Sequence, residues 1–260
     1  MQALLNTAVK AARKGGDTAL RYLNRIGDIE VRSKARNEFV SQVDHAAEAA
    51  IIDSIRERYP DHGFLAEESG RHPGNEFVWI VDPLDGTTNF LHGFPVFSVS
   101  IALQVRGQLE VGVVYDPCRQ ELFTAMRGSG AQLDGRRIRV SALPGLDGAL
   151  IGTGFPYRSN TRWLDQYMAM LRAVMETTAG VRRPGSAALD LCYVAGGRLD
   201  GFWEFGLNAW DIAAGALMIR EAGGIITSLT PGGDHLETGD VLAGSPKVHG
   251  ALQSLLTPLL

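Results

Sequence analysis

Cysteine is nearly absent: Cys118 and Cys192 are the only two in 260 residues, far apart and without Cys or His neighbours at metal spacing. That excludes a disulfide framework and a thiolate zinc site, and it fits a reducing compartment. Concentrated positive charge is also missing. Lys and Arg number 25 against 29 Asp and Glu, for a net charge of −4. The densest basic pieces, Arg136-Arg137 with Arg139 and Arg182-Arg183, are too short to neutralise a run of phosphates, so no direct nucleic-acid binding is expected. No apolar run approaches the ~18 residues of a membrane span. The first residues lack the charge, apolar stretch and cleavage pattern of a secretion signal, so the expected location is cytoplasmic. What is present is ordinary globular composition, 45% apolar with a mean hydropathy of −0.01. That is enough to bury a substantial core as one domain or two intimately packed lobes, roughly 1–145 and 146–260.

Periodicity divides the chain. Apolar residues recur at helical spacing through Leu4, Leu5, Ala8, Ala12, Ala19 and Leu20, predicting an amphipathic helix over 2–23. Residues 27–40 are polar and of mixed charge, and they read as a mobile loop carrying Lys34 and Arg36. A second helix is expected from Ser41 to Tyr59, stopped by Pro60, then strands at 63–67 and 77–82 joined by a polar turn over 69–76. Val96 to Tyr115 reads as two strands around Arg106-Gly107, with Phe97, Val99, Ile101 and Leu103 on one face and Ser98 and Ser100 on the other. A meander continues through 121–140. Beyond it, strands near Leu150 and Gly201 alternate with helices over 163–177, 186–195 and 209–222, and a last strand at 241–244 precedes a helix opened by Ser245-Pro246. Antiparallel strands first and α/β alternation later predict a layered mixed fold.

Chemistry concentrates where Trp79-Ile-Val-Asp82-Pro83-Leu84-Asp85-Gly86-Thr87 runs an apolar strand into two carboxylates and a Gly-Thr turn. Proline and glycine are expected to break the strand after Asp82, so that both acids leave its end. Carboxylates bind hard cations through oxygen, and the N–H groups at a new turn receive phosphate. The alternative is an Asp-Pro-x-Asp-Gly turn in which the acids accept only local amides. Glu67 and Glu68 close the preceding strand, where a second strand-terminal acid would repel them unless a cation intervened. Glu67 is the expected ligand and Glu68 a solvated charge. Asp211 reads either as a site residue or as the third residue of a helix capped by Asn208. Asp44 is open in the same way, three residues after Ser41. Glu204 reads alone as an edge charge in an apolar strand and Lys34 as a solvated lysine, while the alternative for Thr87, beside its amide receiving phosphate, is a plain turn residue. Trp79, Trp203 and Trp210 are expected in the core, His92 has no ligand spacing, and Gly152-Thr-Gly154 lacks the rest of a dinucleotide fingerprint.

Taken together, these motifs carry a resemblance. Asp82-Pro-Leu-Asp85-Gly-Thr87-Thr-Asn-Phe, with Glu67-Glu68-Ser69 before it and Trp210-Asp211-x-Ala213-Ala-Gly215 and Glu221-Ala-Gly-Gly after it, resembles the inositol monophosphatase family over nearly the whole chain. Tyr115-Asp-Pro117, Thr153-Gly-Phe155-Pro and Gly185-Ser-Ala-Ala-Leu-Asp-Leu-Cys-Tyr193-Val-Ala resemble its bacterial SuhB-like branch. The resemblance implies an α+β (mixed α/β) fold, a layered αβαβα sandwich, in a single domain over 1–260. It implies Mg²⁺-dependent hydrolysis of a small phosphomonoester, myo-inositol 1-phosphate first among them. Two Mg²⁺ are implied, one held by Glu67, Asp82 and the Leu84 carbonyl and one by Asp82, Asp85 and Asp211, with a third, weaker ion beside Glu67. Thr87 would pass a proton from the attacking water towards Asp44 or Glu67. Gly86 and Thr87 would hold phosphate, and Asp85, Gly185, Ser186, Ala187 and Glu204 the alcohol. Many members carry Thr where this chain has Ser186. The same resemblance implies lithium sensitivity, a homodimer and, for the SuhB-like branch, a contact with the transcription machinery. Related substrates are 3′-phosphoadenosine phosphate, histidinol phosphate and fructose 1,6-bisphosphate.

Overall fold

The computed structural model describes residues 1–23, 31–35, 38–156 and 163–260, with 31–35 and 38–41 as backbone only. Helices α1 (Gln2–Leu23) and α2 (Gln42–Arg56) flank a hairpin of β1 (Val31–Ala35) and β2 (Glu38–Ser41). The hairpin replaces most of the expected 27–40 loop. Its strands pair antiparallel from Val31 opposite Ser41 to Ala35 opposite Glu38, in a sequence too polar to show an alternation. Lys34 lies on β1, its side chain undescribed, and Arg36 lies outside the described residues.

An eight-stranded sheet follows from β3 (Gly63–Ala66), β4 (Gly70–His72), β5 (Phe77–Asp85), β6 (Ser98–Val105), β7 (Gln108–Asp116), β8 (Glu121–Met126), β9 (Gly130–Leu133) and β10 (Arg136–Arg137). Its spatial order is β10-β9-β8-β7-β6-β5-β3-β4, with only the β3–β5 pair parallel. Two segments differ from the expectation. The first three residues of the presumed polar turn after Ser69 form edge strand β4. β5 also does not end at Asp82: it runs through Pro83 to Asp85, with a register shift against β6 between the two acids. A bulge is one of the few places where a sheet accepts proline.

The second sheet takes β11 (Leu150–Thr153), β12 (Gly180–Arg182), β13 (Gly201–Glu204), β14 (Ile225–Thr227) and β15 (Val241–Gly244), in the order β12-β11-β13-β15-β14. Strands β12 and β14, three residues each, are too short for periodicity to reveal. The helices of this half are α4 (Leu164–Thr177), α5 (Ala187–Ala195), α6 (Ala209–Glu221), α7 (His235–Thr238) and α8 (Pro246–Leu256), and a short α3 (Thr87–Leu91) follows β5.

Three apolar clusters stack these elements into five layers. Ala8, Ala11 and Ala12 of α1 and Ile51 and Ile55 of α2 cover one face of the large sheet, against Phe64, Trp79, Ile101 and Val113. Its other face meets α5 and α6, which are buried almost all round because the second sheet lies on their far side. Leu189, Leu191, Ile212 and Leu217 pack between Ile80, Ala102, Val114 and Phe123 on one side and Phe202, Ile226 and Ala243 on the other. Tyr167, Met170 and Val174 of α4 and Val248 and Leu252 of α8 close the outside against Ile151, Trp203 and Leu242. This is an αβαβα sandwich of mixed α/β class. Ser98 and Ser100, on the face opposite Val99, Ile101 and Leu103 as expected, look into this middle layer and are buried. The Ser98 hydroxyl lies 3.2 Å from that of Ser186, and Ser100 Oγ donates to the Trp210 carbonyl at 3.1 Å. Trp79 and Trp203 are fully buried, while Trp210 is only partly so.

Candidate active site

Strand and helix ends from three layers meet over one cleft of about 300 Å³, lined by Asp85 to Asn89, Thr153 to Pro156, Arg183, Gly185 to Ala187, Asp190, Glu204 to Asn208 and Asp211. Asp82, Asp85 and Asp211 each bring a carboxylate oxygen within 4.8 Å of the other two. The β5 bulge aims the first pair, with Asp82 Oδ1 accepting the Leu84 N–H at 2.9 Å across it. Asp85 Oδ2 accepts the Ser186 hydroxyl at 2.6 Å and the Ala188 amide at 2.8 Å, so it caps α5 from another layer. Asp211 accepts the Asn208 N–H at 2.7 Å. Asp211 is thus the capping-box carboxylate of α6, and it also faces the other two acids.

Electrostatics agree with the geometry. Burial, then Glu67, Asp85 and Asp211, push the Asp82 carboxyl well above the usual carboxylate range. Burial and then Asp211 raise Asp85 to about 7, against the hydrogen bonds from Ser186 and the α5 amides. Acids that resist ionisation together are strained without a counter-charge. The donors are hard oxygens, with no imidazole or thiolate among them, which fits a divalent cation such as Mg²⁺. Glu67 stands on the Asp82 side, its backbone N–H tied to the Val81 carbonyl at 3.1 Å. Its carboxylate is close enough to raise Asp82, though it lies outside the tight group of three.

Thr87 opens α3, and its hydroxyl lies 2.9 Å from Asp44 Oδ1 and 3.1 Å from the Leu84 carbonyl. One hydroxyl proton serves one acceptor at a time, so donation to Asp44 leaves the Leu84 oxygen for another partner. Asp44 is completely buried on α2. Gly86 has φ 102°, and a Cβ there would meet the Val96 carbonyl at 2.9 Å and that of Gly185 at 3.2 Å. Glycine is therefore required on both grounds. Asn89 Nδ2 bridges the Val96 and Pro184 carbonyls at 2.8 and 2.9 Å, fastening this turn to the loop before α5.

At the far end, Gly185, Ser186, Ala187 and Glu204 all line the cleft. Gly154 packs directly under the Glu204 carboxylate. Sequence reasoning missed Glu48 and Asp190. Glu48, 3% exposed, accepts the amides of Glu68 and Ser69. Asp190, 1% exposed, lines the cleft with an oxygen that has no partner, and burial, then Glu204 and Asp85, push its carboxyl far upwards. Both fall on the apolar stripes of their helices, and an acid there was the available signal.

The model of the inositol monophosphatase family matches residues 1–259. The Nus factor SuhB of Pseudomonas aeruginosa is 49% identical over 265 residues, covering 100% of this chain and 98% of the relative. The extragenic suppressor protein SuhB of Bartonella henselae superposes with a TM-score of 0.95 at 45% identity, covering 98% of each chain. The inositol monophosphatase of Anabaena (Nostoc) sp. PCC 7120 gives 0.85 at 38% identity, over 99% of this chain and 96% of that one. A full-length family match, relatives near half identity and the shared fold agree: the chain belongs to the inositol monophosphatase family.

Proposed function

We propose that the protein is a Mg²⁺-dependent phosphomonoesterase that releases myo-inositol and phosphate from myo-inositol 1-phosphate and related polyol phosphates. The observation that carries this is the convergence of Asp82, Asp85 and Asp211 within 4.8 Å of one another, beside a cleft lined by Asp85, Thr87, Glu204 and Asp211. Glu67, Asp82, Asp85, Asp211 and the Leu84 carbonyl would hold two Mg²⁺, with Glu67 also the residue for a third, weaker ion. Bound there, Mg²⁺ neutralises the ester dianion, lowers the pKa of water and stabilises the departing alkoxide.

The chain's own groups do the rest. Thr87 orients the attacking water through a lone pair while its own proton points to Asp44, so a proton leaving the water has a path into a buried carboxylate. The Gly86 and Thr87 amides hold phosphate oxygens where charge accumulates. Glu204 accepts hydroxyls of the alcohol, with Gly185, Ser186 and Ala187 shaping the opposite wall. No residue need bond covalently to phosphorus.

Steady-state kinetics on the inositol, histidinol, fructose and 3′-phosphoadenosine phosphates, with and without Mg²⁺, test this. A preference of ~100-fold for the nucleotide, about 2.7 kcal/mol in transition-state binding, would overturn the inositol assignment. Lithium inhibition and a homodimer belong to the same proposal. So do the two-lobe division and a cytoplasmic location.

A second reading rests on the name Nus factor carried by the curated SuhB relatives: contact with the transcription machinery, with catalysis secondary. Asp82→Asn separates the two, since retained cellular function without phosphatase activity supports the second.

A further inference from the structure

Helix α2 carries two buried acids one turn apart, Asp44 and Glu48, and each reaches a different part of the site. Asp44 accepts the Thr87 hydroxyl. Glu48 spends both oxygens on consecutive backbone amides, Oε2 on Glu68 at 2.8 Å and Oε1 on Ser69 at 2.9 Å. These amides belong to the turn that immediately follows Glu67. On its other side Glu67 is fixed by its own N–H on the Val81 carbonyl, next to Asp82. Glu67 thus stands between two restraints, one from the sheet and one from α2. A buried carboxylate used only to staple a surface turn would be a costly choice, because removing an anion from water costs several kcal/mol. Its use is intelligible if the direction of Glu67 matters.

We propose that Glu48 is a positioning residue for cation binding, holding Glu67 in register with Asp82, so that α2 sets the spacing between the Glu67 ligand and the Thr87–Asp44 pair. The inference rests on the reading of Glu67 as a metal ligand. Glu48 touches neither cation nor substrate and acts through two amides. Glutamine in its place keeps one acceptor and turns an NH₂ donor against the second amide, which frees the turn while preserving size. Aspartate keeps both acceptors but falls one methylene short.

The test is direct binding of Mn²⁺ to the full chain, following free Mn²⁺ by electron paramagnetic resonance, beside the Mg²⁺ dependence of phosphatase activity. Partners that orient metal ligands typically contribute 10- to 100-fold in affinity. Glu48→Gln is therefore expected to weaken Mn²⁺ binding by roughly 10-fold or more and to raise half-saturating Mg²⁺ in proportion, while kcat at saturating Mg²⁺ stays within about two-fold. Glu48→Asp should fall between, and it answers the question if the glutamine variant does not fold. Unchanged Mn²⁺ affinity in both variants overturns the proposal. So does a lowered melting temperature accompanied by the same loss of activity at every Mg²⁺ concentration. Wild-type protein that takes up no Mn²⁺ overturns the metal-dependent reading itself, a different failure from wild-type binding that the variants match.

Discussion

Replacing Asp82 by Asn should abolish activity and yet stabilise the metal-free protein. Asp82, Asp85 and Asp211 present oxygens within 4.8 Å of one another. At that separation and an effective dielectric of about 20, each fully ionised pair repels by roughly 3 kcal/mol. Partial protonation relieves some of this, since burial and neighbouring acids already hold Asp82 well above the usual carboxylate range. A net gain of about 2 kcal/mol at pH 8 is a conservative figure for removing one charge from two pairs. Asparagine keeps the side-chain oxygen that accepts the Leu84 N–H at 2.9 Å, so the bulge should survive. For a chain of this size about 2 kcal/mol corresponds to roughly 4–8 °C in Tm. Thermal unfolding in EDTA should place the variant above wild type by that interval. Wild type should then gain about 2.7 kcal/mol with Mg²⁺ at 100 times its Kd, and the variant much less, so that the two traces close or cross. A variant less stable than wild type in EDTA refutes the reasoning, because the acids would then not be in conflict.

Further outcomes follow from other residues. Asp85, raised to about 7 by burial and Asp211, is protonated at lower pH, so a proton competes with the cation. Mg²⁺ affinity measured calorimetrically should fall as pH drops from 8 to 6, and a flat profile would contradict this. Gly154→Ala puts a methyl group onto the Glu204 carboxylate, the movable end of a flexible side chain. KM for myo-inositol 1-phosphate should rise by roughly 10-fold while hydrolysis of a phosphate ester without hydroxyls on its leaving group changes little, the loss of one or two good hydrogen bonds. In Asp190 the folded carboxyl is raised far above its unfolded value by burial, Glu204 and Asp85. The native state then binds the extra proton, and stability declines as pH rises above the unfolded value. Urea unfolding of Asp190→Asn should show its advantage over wild type growing with pH, by up to about 1.4 kcal/mol per unit while the native acid stays protonated.

Asp82, Asp85 and Thr87 were legible because they share one strand end, and Glu67 because it is an acid closing the neighbouring strand, whereas Asp211 and Asp44 stayed open between helix cap and site residue until the family pattern was recognised. The five layers were legible in outline because long amphipathic helices and alternating strands are periodic. What escaped was local or tertiary. A proline inside β5 is tolerated only by a bulge that depends on β6, and the β1–β2 hairpin is too polar for its pairing to register as alternation. Glu48 reads as one more polar residue until the apolar stripe of α2 is drawn through Val43, Ala47, Ile51 and Ile55. Asp44 and Glu48 are then seen among the residues turned inward.

Asp85 caps the start of α5 and Asp211 that of α6, so the acids that would grip a cation also pin down the first turns of both central helices. Chelation would then do more than silence chemistry: it would unfasten the middle of the molecule from the sheet that carries Asp82. Amide hydrogen exchange should quicken first around residues 186–190 and 208–212, with the outer helices protected as before. The ion, in that sense, would be a rivet between layers.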